Sequence, residues 1–269
     1  MNILNIIKKF FIWLFLEGTV YAVNKSMDYY KYTLQNLRES CALDITLIEK
    51  GENFYFCTTL QEGVLIGPTL PLSAFNETNE GIILARYVAG VGPLYFSEGT
   101  VKFSFLLDKV DLDKSGFTGD YNSICKQWII KSLKDLGIET TTKDKTNDIF
   151  LNGKKISGAA SKDMGDKLFF GAFIALFIDF EVGARVINIK KHVTDLAERA
   201  IGINQVLETS VSAEQIFNSL KNNANELWGI GLKNPIDTSI PIPNFQKNID
   251  IQNDDNWIKY GRSQKPDFS

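Results

Sequence analysis

A chain of 269 residues, 44% hydrophobic and 23% charged with a net charge of −3, can bury one large core and falls outside the disordered and fibrous classes. The lack of a dense basic run argues against nucleic acid as the main partner. Three widely spaced cysteines, Cys41, Cys57 and Cys125, and a single histidine, His192, argue against a disulfide framework or a zinc site and point to a reducing cytoplasm.

Along the chain, Lys8 and Lys9 followed by FFIWLFL resemble the start of a signal peptide, but the run is too short for a membrane span of about 20 residues and Glu17 interrupts it. A buried strand over 10–16 is the preferred reading, followed by a helix over 24–39. Runs rich in β-branched and aromatic residues predict strands over 44–48, 54–58, 64–66, 82–87, 101–107, 148–151, 155–160 and 168–179. Cys57, within FYFCTTL, reads as a core thiol. A helix is predicted over 121–136, where Tyr121, Cys125, Trp128, Ile129 and Leu136 share one face before Gly137 ends it. Another spans 213–228, with Ser212 and Gln215 forming a capping box and Ile216, Leu220, Ala224 and Leu227 its stripe. Strands dominate the middle and helices flank them, so the class is α+β, with no repeats. Residues 1–231 read as the main domain. Pro235, Pro241, Pro243 and many Asn and Asp make 232–269 an irregular extension completing it, with no separate accessory domain.

Two stretches carry chemistry. In NGKKISGAASK, Asn152 to Lys162, Lys155 sits in a strand between a glycine turn and a Ser-Gly-Ala turn, a setting that can hold an ammonium against phosphate or carboxylate; Asn147 and Asp148 lie just upstream. In RYVAGVGPLYFSEGTVKFSF, Arg86 to Phe105, a strand ending in arginine runs into Gly90 and Gly92, which would let backbone amides approach an anion. Each has an ordinary structural alternative, a solvated Lys154/Lys155 pair and plain glycine turns.

Taken together, the stretches resemble one family. Arg86 to Ser104 is similar to the RRxTGGGxVxHxxGNxNxS motif of lipoate protein ligases, and Asn147 to Ala159 to the NDxxxxGxKISGxA block that follows it. Asn24, Ser26 and Asp28 echo the NxAxDE helix, Gly67 the glycine after the third strand, Phe170-Gly171 the HHG element and Val193 to Leu196 the VTxL segment. The resemblance implies the biotin/lipoate protein ligase catalytic-domain fold (class II synthetase-like), a mixed sheet flanked by helices. It also implies a two-step reaction in which lipoate and ATP give lipoyl adenylate, and a carrier-domain lysine then takes the lipoyl group. On the same basis Lys155 is the catalytic lysine and Asp148 the Mg2+ ligand. The resemblance likewise implies that Arg86, Gly90, Gly92, Leu94 and Phe96, with Asn147, Ser157, Gly158 and Ala159, would bind ATP and lipoate.

The loop departs from the motif: Tyr87, Ala89, Val91 and Phe96 replace its second arginine, threonine, middle glycine and histidine, and Thr100 and Lys102 its asparagines. Lys102 could substitute electrostatically for the asparagine it replaces. These departures support the alternative of a catalytically silent homologue that binds a carrier domain or an acyl ligand. An octanoyl transferase is the other alternative, which the lack of a cysteine in TTTKDKT and DKLFF disfavours. The chain is expected to stop short of the family's small accessory domain, so a separate accessory polypeptide is a candidate partner beside the lipoyl carrier domain. Nucleic acid and membrane are not expected.

Overall fold

The computed structural model describes residues 25–34, 36–51, 53–59, 61–70, 72, 82–89, 93–113, 120–143, 146–186, 196–236 and 242–260. In chain order these form β1 (Lys25–Leu34), α1 (Leu37–Lys50), β2 (Asn53–Thr59), β3 (Gly63–Ile66), β4 (Ile83–Arg86), β5 (Leu94–Phe96), β6 (Val101–Asp108) and α2 (Lys109–Leu112). Then follow α3 (Tyr121–Lys134), β7 (Thr141–Thr142), β8 (Ile149–Leu151), β9 (Lys154–Met164), β10 (Lys167–Ile174), α4 (Phe180–Val186) and α5 (Leu196–Arg199). A short 3-10 turn (Ile203–Gln205) leads to α6 (Ala213–Trp228), β11 (Ile230–Pro235), α7 (Phe245–Asn253) and α8 (Asp255–Tyr260). The expected strand over 10–16 lies outside the described residues.

Among the described residues, eight strands form one mixed sheet in the order β11-β1-β2-β6-β10-β9-β8-β7, and β4-β3-β5 form a second, smaller sheet. β1 runs parallel to both β11 and β2, while β2, β6, β10, β9, β8 and β7 pair antiparallel in turn. The α+β class holds, and the mixed sheet flanked by helices is the one expected. One face of the large sheet meets α3 and α6 in a core of Phe54, Phe103, Phe105, Phe170, Trp128 and Trp228. Edge-to-face aromatic contacts knit it, among them Phe103 to Trp128 at 5.3 Å. Full burial of one such phenylalanine is worth about 1.5–3 kcal/mol. The opposite face packs α1 and the small sheet through Leu37, Cys41, Leu65, Ala85, Tyr87, Phe96, Phe169 and Phe173.

The N-terminal reading is corrected. Residues 25–34, expected as a helix, are strand β1, and residues 44–48, expected as a strand, lie inside α1. In β1 the side chains alternate: Tyr29 joins the α3/α6 core, and the next residue, Tyr30, packs with Leu43, Leu47 and Tyr55 on the other face. The helix begins only at Asn36, whose side chain accepts from the amides of Arg38 (2.9 Å) and Glu39 (3.2 Å). Ser26 and Asp28 therefore lie on a strand rather than in an NxAxDE helix. The strand expected to reach 179 ends at Ile174, and Asp179 instead caps α4, accepting from the Val182 amide at 3.0 Å. The described residues after 231, expected as irregular, complete β11 and form α7 and α8.

Candidate active site

The turn between β8 and β9 fixes the position of the key lysine. Asn152 and Gly153 both have positive φ, 51° and 78°, as a tight two-residue hairpin requires, and Leu151 pairs with Lys154 across it. Opposite Lys155 and Ser157 the register shifts between Phe150 and Ile149, a bulge that re-aims the strand. Lys155 thus faces Phe150, while Ile156 stays in the α3/α6 core. A parallel bridge to Ala200 and a bond from the Ile201 amide to the Lys155 carbonyl (3.0 Å) hold its backbone from the other side.

Lys155 Nζ lies 2.7 Å from Asp148 Oδ1, and both side chains are about a third exposed, at 32% and 29%. Gly158 gives the pair room: a Cβ there would stand 3.2 Å from Lys155 Nζ, a tight contact, and 3.7 Å from Asp148 Oδ1, an ordinary one. Both charges line a cavity of about 880 Å³. Its apolar wall is Leu94, Phe96, Phe173, Ile178 and Leu196, and its polar rim carries Thr100, Lys143, Thr146, Glu198 and Arg199. Phe96 and Phe173 meet edge-to-face at 4.5 Å, so the histidine position of the motif is here part of an aromatic wall. Among the described residues no three His, Cys, Asp or Glu gather to hold a metal by themselves.

Of the residues expected at the site, Lys155, Asp148, Ser157, Gly158, Leu94 and Phe96 line this cavity. Ser157 pairs across the strands with the core residues Ile149 and Ile174, and its buried hydroxyl has no partner among the described residues. Gly90 and Gly92 lie outside the described residues. Arg86, Asn147 and Ala159 do not line the cavity. Asn147 turns its amide to Asn122 on α3 (3.2 Å), which also accepts from the Ser161 hydroxyl. Ala159 packs at the margin of the α3/α6 core, one step past Gly158 on the alternating strand.

Arg86 is fully buried and serves the fold. Its guanidinium donates to the carbonyls of Gly67 (2.8 Å), Leu70 (3.0 Å), Trp257 (2.8 Å) and Ile258 (3.1 Å from Nε), while Gln252 brackets its backbone amide and carbonyl. It fastens α7 and α8 to the edge of the small sheet. With carbonyls rather than a carboxylate around it among the described residues, burial pushes its pKa down.

Lys102 likewise lies beneath the sheet rather than in the cavity. It contacts Asp44 and donates to the Ser40 hydroxyl (2.7 Å) and carbonyl (3.0 Å), while Ser104 donates to Asp44 (2.8 Å). Burial is the largest influence and pushes the ammonium down, but Asp44 together with the neighbouring Cys41 and Cys57 leaves it above its ordinary value. The aromatic rings of Tyr55 and Tyr87 stand 5.2 and 5.3 Å from Nζ. All three cysteines are free and buried, and burial pushes the Cys41 thiol up to about 12. Sequence reasoning missed Phe150, Phe173, Ile178, Lys143 and Arg199, which belong to the site only through cross-strand register and the return of α4 and α5.

Residues 69–224 match the family described as the lipoyl protein ligase A/B catalytic domain. A lipoate-protein ligase A of Blochmanniella pennsylvanica is 26% identical over 230 residues, 78% of this chain and 64% of that protein, so the chain spans less than two thirds of that relative's length. A crystal structure of lipoate-protein ligase A bound with ATP superposes with a TM-score of 0.68 at 17% identity, over 87% of this chain and 99% of that one. A bipartite lipoate protein ligase from Thermoplasma acidophilum, studied with its E2 lipoyl domain, superposes with a TM-score of 0.68 at 18% identity, over 87% of this chain and 96% of that one. At such identities the likeness shows the fold. Among the described residues no helix is long and apolar enough to cross a membrane.

Proposed function

Because the chain belongs to the lipoyl protein ligase A/B catalytic-domain family, we propose that it is an ATP-dependent ligase that forms lipoyl adenylate and transfers the lipoyl group to a lysine of a carrier domain. The observation that carries this reading is the Lys155–Asp148 pair, 2.7 Å apart at the open side of a cavity whose other wall is apolar. Such a wall suits an aliphatic acyl chain, and the charged pair beside it suits a carboxylate and a phosphate, which supports the reading.

In the first step a carboxylate oxygen of lipoate attacks the α-phosphorus of ATP. A new P–O bond forms, the bond to the β-phosphate oxygen breaks, and pyrophosphate leaves with the electron pair. In the second, a neutral lysine amine attacks the acyl carbon, the C–O bond to AMP breaks, and the amine's proton passes to solvent. Negative charge gathers on the α-phosphate oxygens in the first step and on the acyl oxygen in the second. Lys155 supplies a fixed cation for both, its backbone pinned by Phe150 and Ala200 so that little reorganisation is needed. Asp148, with one oxygen on Lys155, is the residue to hold Mg2+, an ion that takes one or two carboxylates and completes its shell with phosphate and water. Bound there, Mg2+ would neutralise phosphate charge.

The bipartite relative supports a carrier domain as acceptor and an accessory polypeptide as partner. The test is acid-dependent release of pyrophosphate from ATP, by the chain alone and with candidate accessory chains. Release stimulated by lipoate or octanoate is expected. No stimulation by either acid under any combination would leave the second reading, a homologue that binds without activating. The buried placement of Arg86 and Lys102, away from the cavity, favours that second reading.

A further inference from the structure

We propose that Lys143 is a second nucleotide cation, holding the β- and γ-phosphates of ATP while Lys155 serves the α-phosphate. The inference rests on the ligase reading and names a residue that no motif of the sequence picks out.

The strand register builds the arrangement. Thr141 on β7 pairs with Phe150 on β8, and Phe150 pairs with Lys155 on β9, so the three residues form one row across the sheet. Directly opposed side chains in such a row stand about 5 Å apart and share a face. Lys143 leaves the end of β7 and returns over this row, its Nζ 4.3 Å from the centre of the Phe150 ring. Phe150 is therefore the neighbour of both lysines, which line one cavity. The ring gives the Lys143 ammonium a seat without neutralising it.

The two lysines of the cavity differ in their partners: Lys155 is paired with Asp148, whereas Lys143 has no carboxylate partner among the described residues and rests on the Phe150 ring. Lys155 already has Asp148 at 2.7 Å, so alone it leaves most of a triphosphate's charge uncompensated. Lys143, Thr146 and Asp148 sit on the same short stretch before β8 and line the same rim, which places an unpaired cation and a hydroxyl beside the carboxylate proposed for Mg2+. Polyphosphate is the ligand this combination suits. Lys126, which donates to the Thr146 carbonyl at 3.1 Å, ties that stretch to α3.

The test is calorimetric titration of the full chain with ATP and, separately, with AMP, using wild type, K143M, K143R and, as a control distant from the cavity, K134A. Expected is a loss of about tenfold or more in ATP affinity for K143M. AMP affinity should hold within about twofold, K143R should retain most of the ATP affinity and K134A should change nothing. Unfolding midpoints check that K143M is folded; because Lys143 is exposed, they should not move. Tight ATP binding by wild type that K143M leaves unchanged would overturn this inference while sparing the ligase reading. Equal losses for ATP and AMP would overturn it too, since Lys143 would then act on the nucleoside or the fold. Failure of wild type to bind ATP at all would overturn both.

Discussion

Arg86 and Lys155 come from the two stretches that resemble one motif pair, yet the structure uses them in opposite ways. Arg86 has no exposed surface and gives its donors to backbone carbonyls of Gly67, Leu70, Trp257 and Ile258. Lys155 keeps about a third of its side chain exposed and makes one strong contact, to Asp148. A buried cation with all its donors committed cannot release them to a ligand without unfolding its surroundings. A cation about a third exposed, with a single carboxylate partner, can exchange that partner for a phosphate at little cost. Lys102 belongs with Arg86: it is sealed with Asp44 and Ser40 beneath the sheet. Arg86 and Lys102 thus hold the fold together, while Lys155 keeps its ammonium accessible at a cavity that Leu94, Phe96 and Thr100 of the first stretch also line.

That division can be broken in graded ways. The largest effect is expected from Lys102→Ala, which strands Asp44 as an uncompensated buried charge and should cost about 3–5 kcal/mol in urea unfolding. The double replacement of Lys102 by Met and Asp44 by Leu should recover most of that loss; a single variant as stable as wild type would show that the pair is not structural. Next is Arg86→Ala, expected to cost about 3 kcal/mol by leaving several carbonyls unpaired, with α7 and α8 losing amide protection first in hydrogen exchange. Uniform loss of protection would deny Arg86 its role as the fastener of those helices. Smallest in stability is Gly158→Ala. A Cβ 3.2 Å from Lys155 Nζ must push the ammonium aside, so acid-dependent pyrophosphate release should fall by about tenfold with an unfolding free energy within about 1 kcal/mol of wild type.

Some of this was legible in the residues. Helix α6 has the expected bounds because Ser212 and Gln215 form the capping box that the spacing announces and Gly229 ends it with a left-handed cap. Lys155, Asp148 and Gly158 were legible because an Asn-Gly turn and a local spacing of a few residues place them. Helix α1 was not, because its buried face includes Ser40, Asp44 and Thr46, which blur the apolar period. Those polar residues are satisfied by Lys102 and Asn248, far along the chain. Lys25 to Leu34 was misread because a strand whose two faces both meet apolar layers buries neighbours such as Tyr29 and Tyr30 together, which breaks the simple alternation. The role of Arg86 could not be read from its motif, because besides Gly67 and Leu70 the carbonyls that claim it, those of Trp257 and Ile258, belong to a C-terminal segment whose Asn and Pro content concealed two helices.

The most direct measurement is ATP–pyrophosphate exchange with lipoate by wild type and Lys155→Ala, alongside their urea unfolding. The account predicts that the substitution lowers exchange by about a hundredfold or more while stability changes by less than about 1 kcal/mol. Exchange retained within a few fold, or a loss of exchange accompanied by an equal collapse of stability, would contradict it.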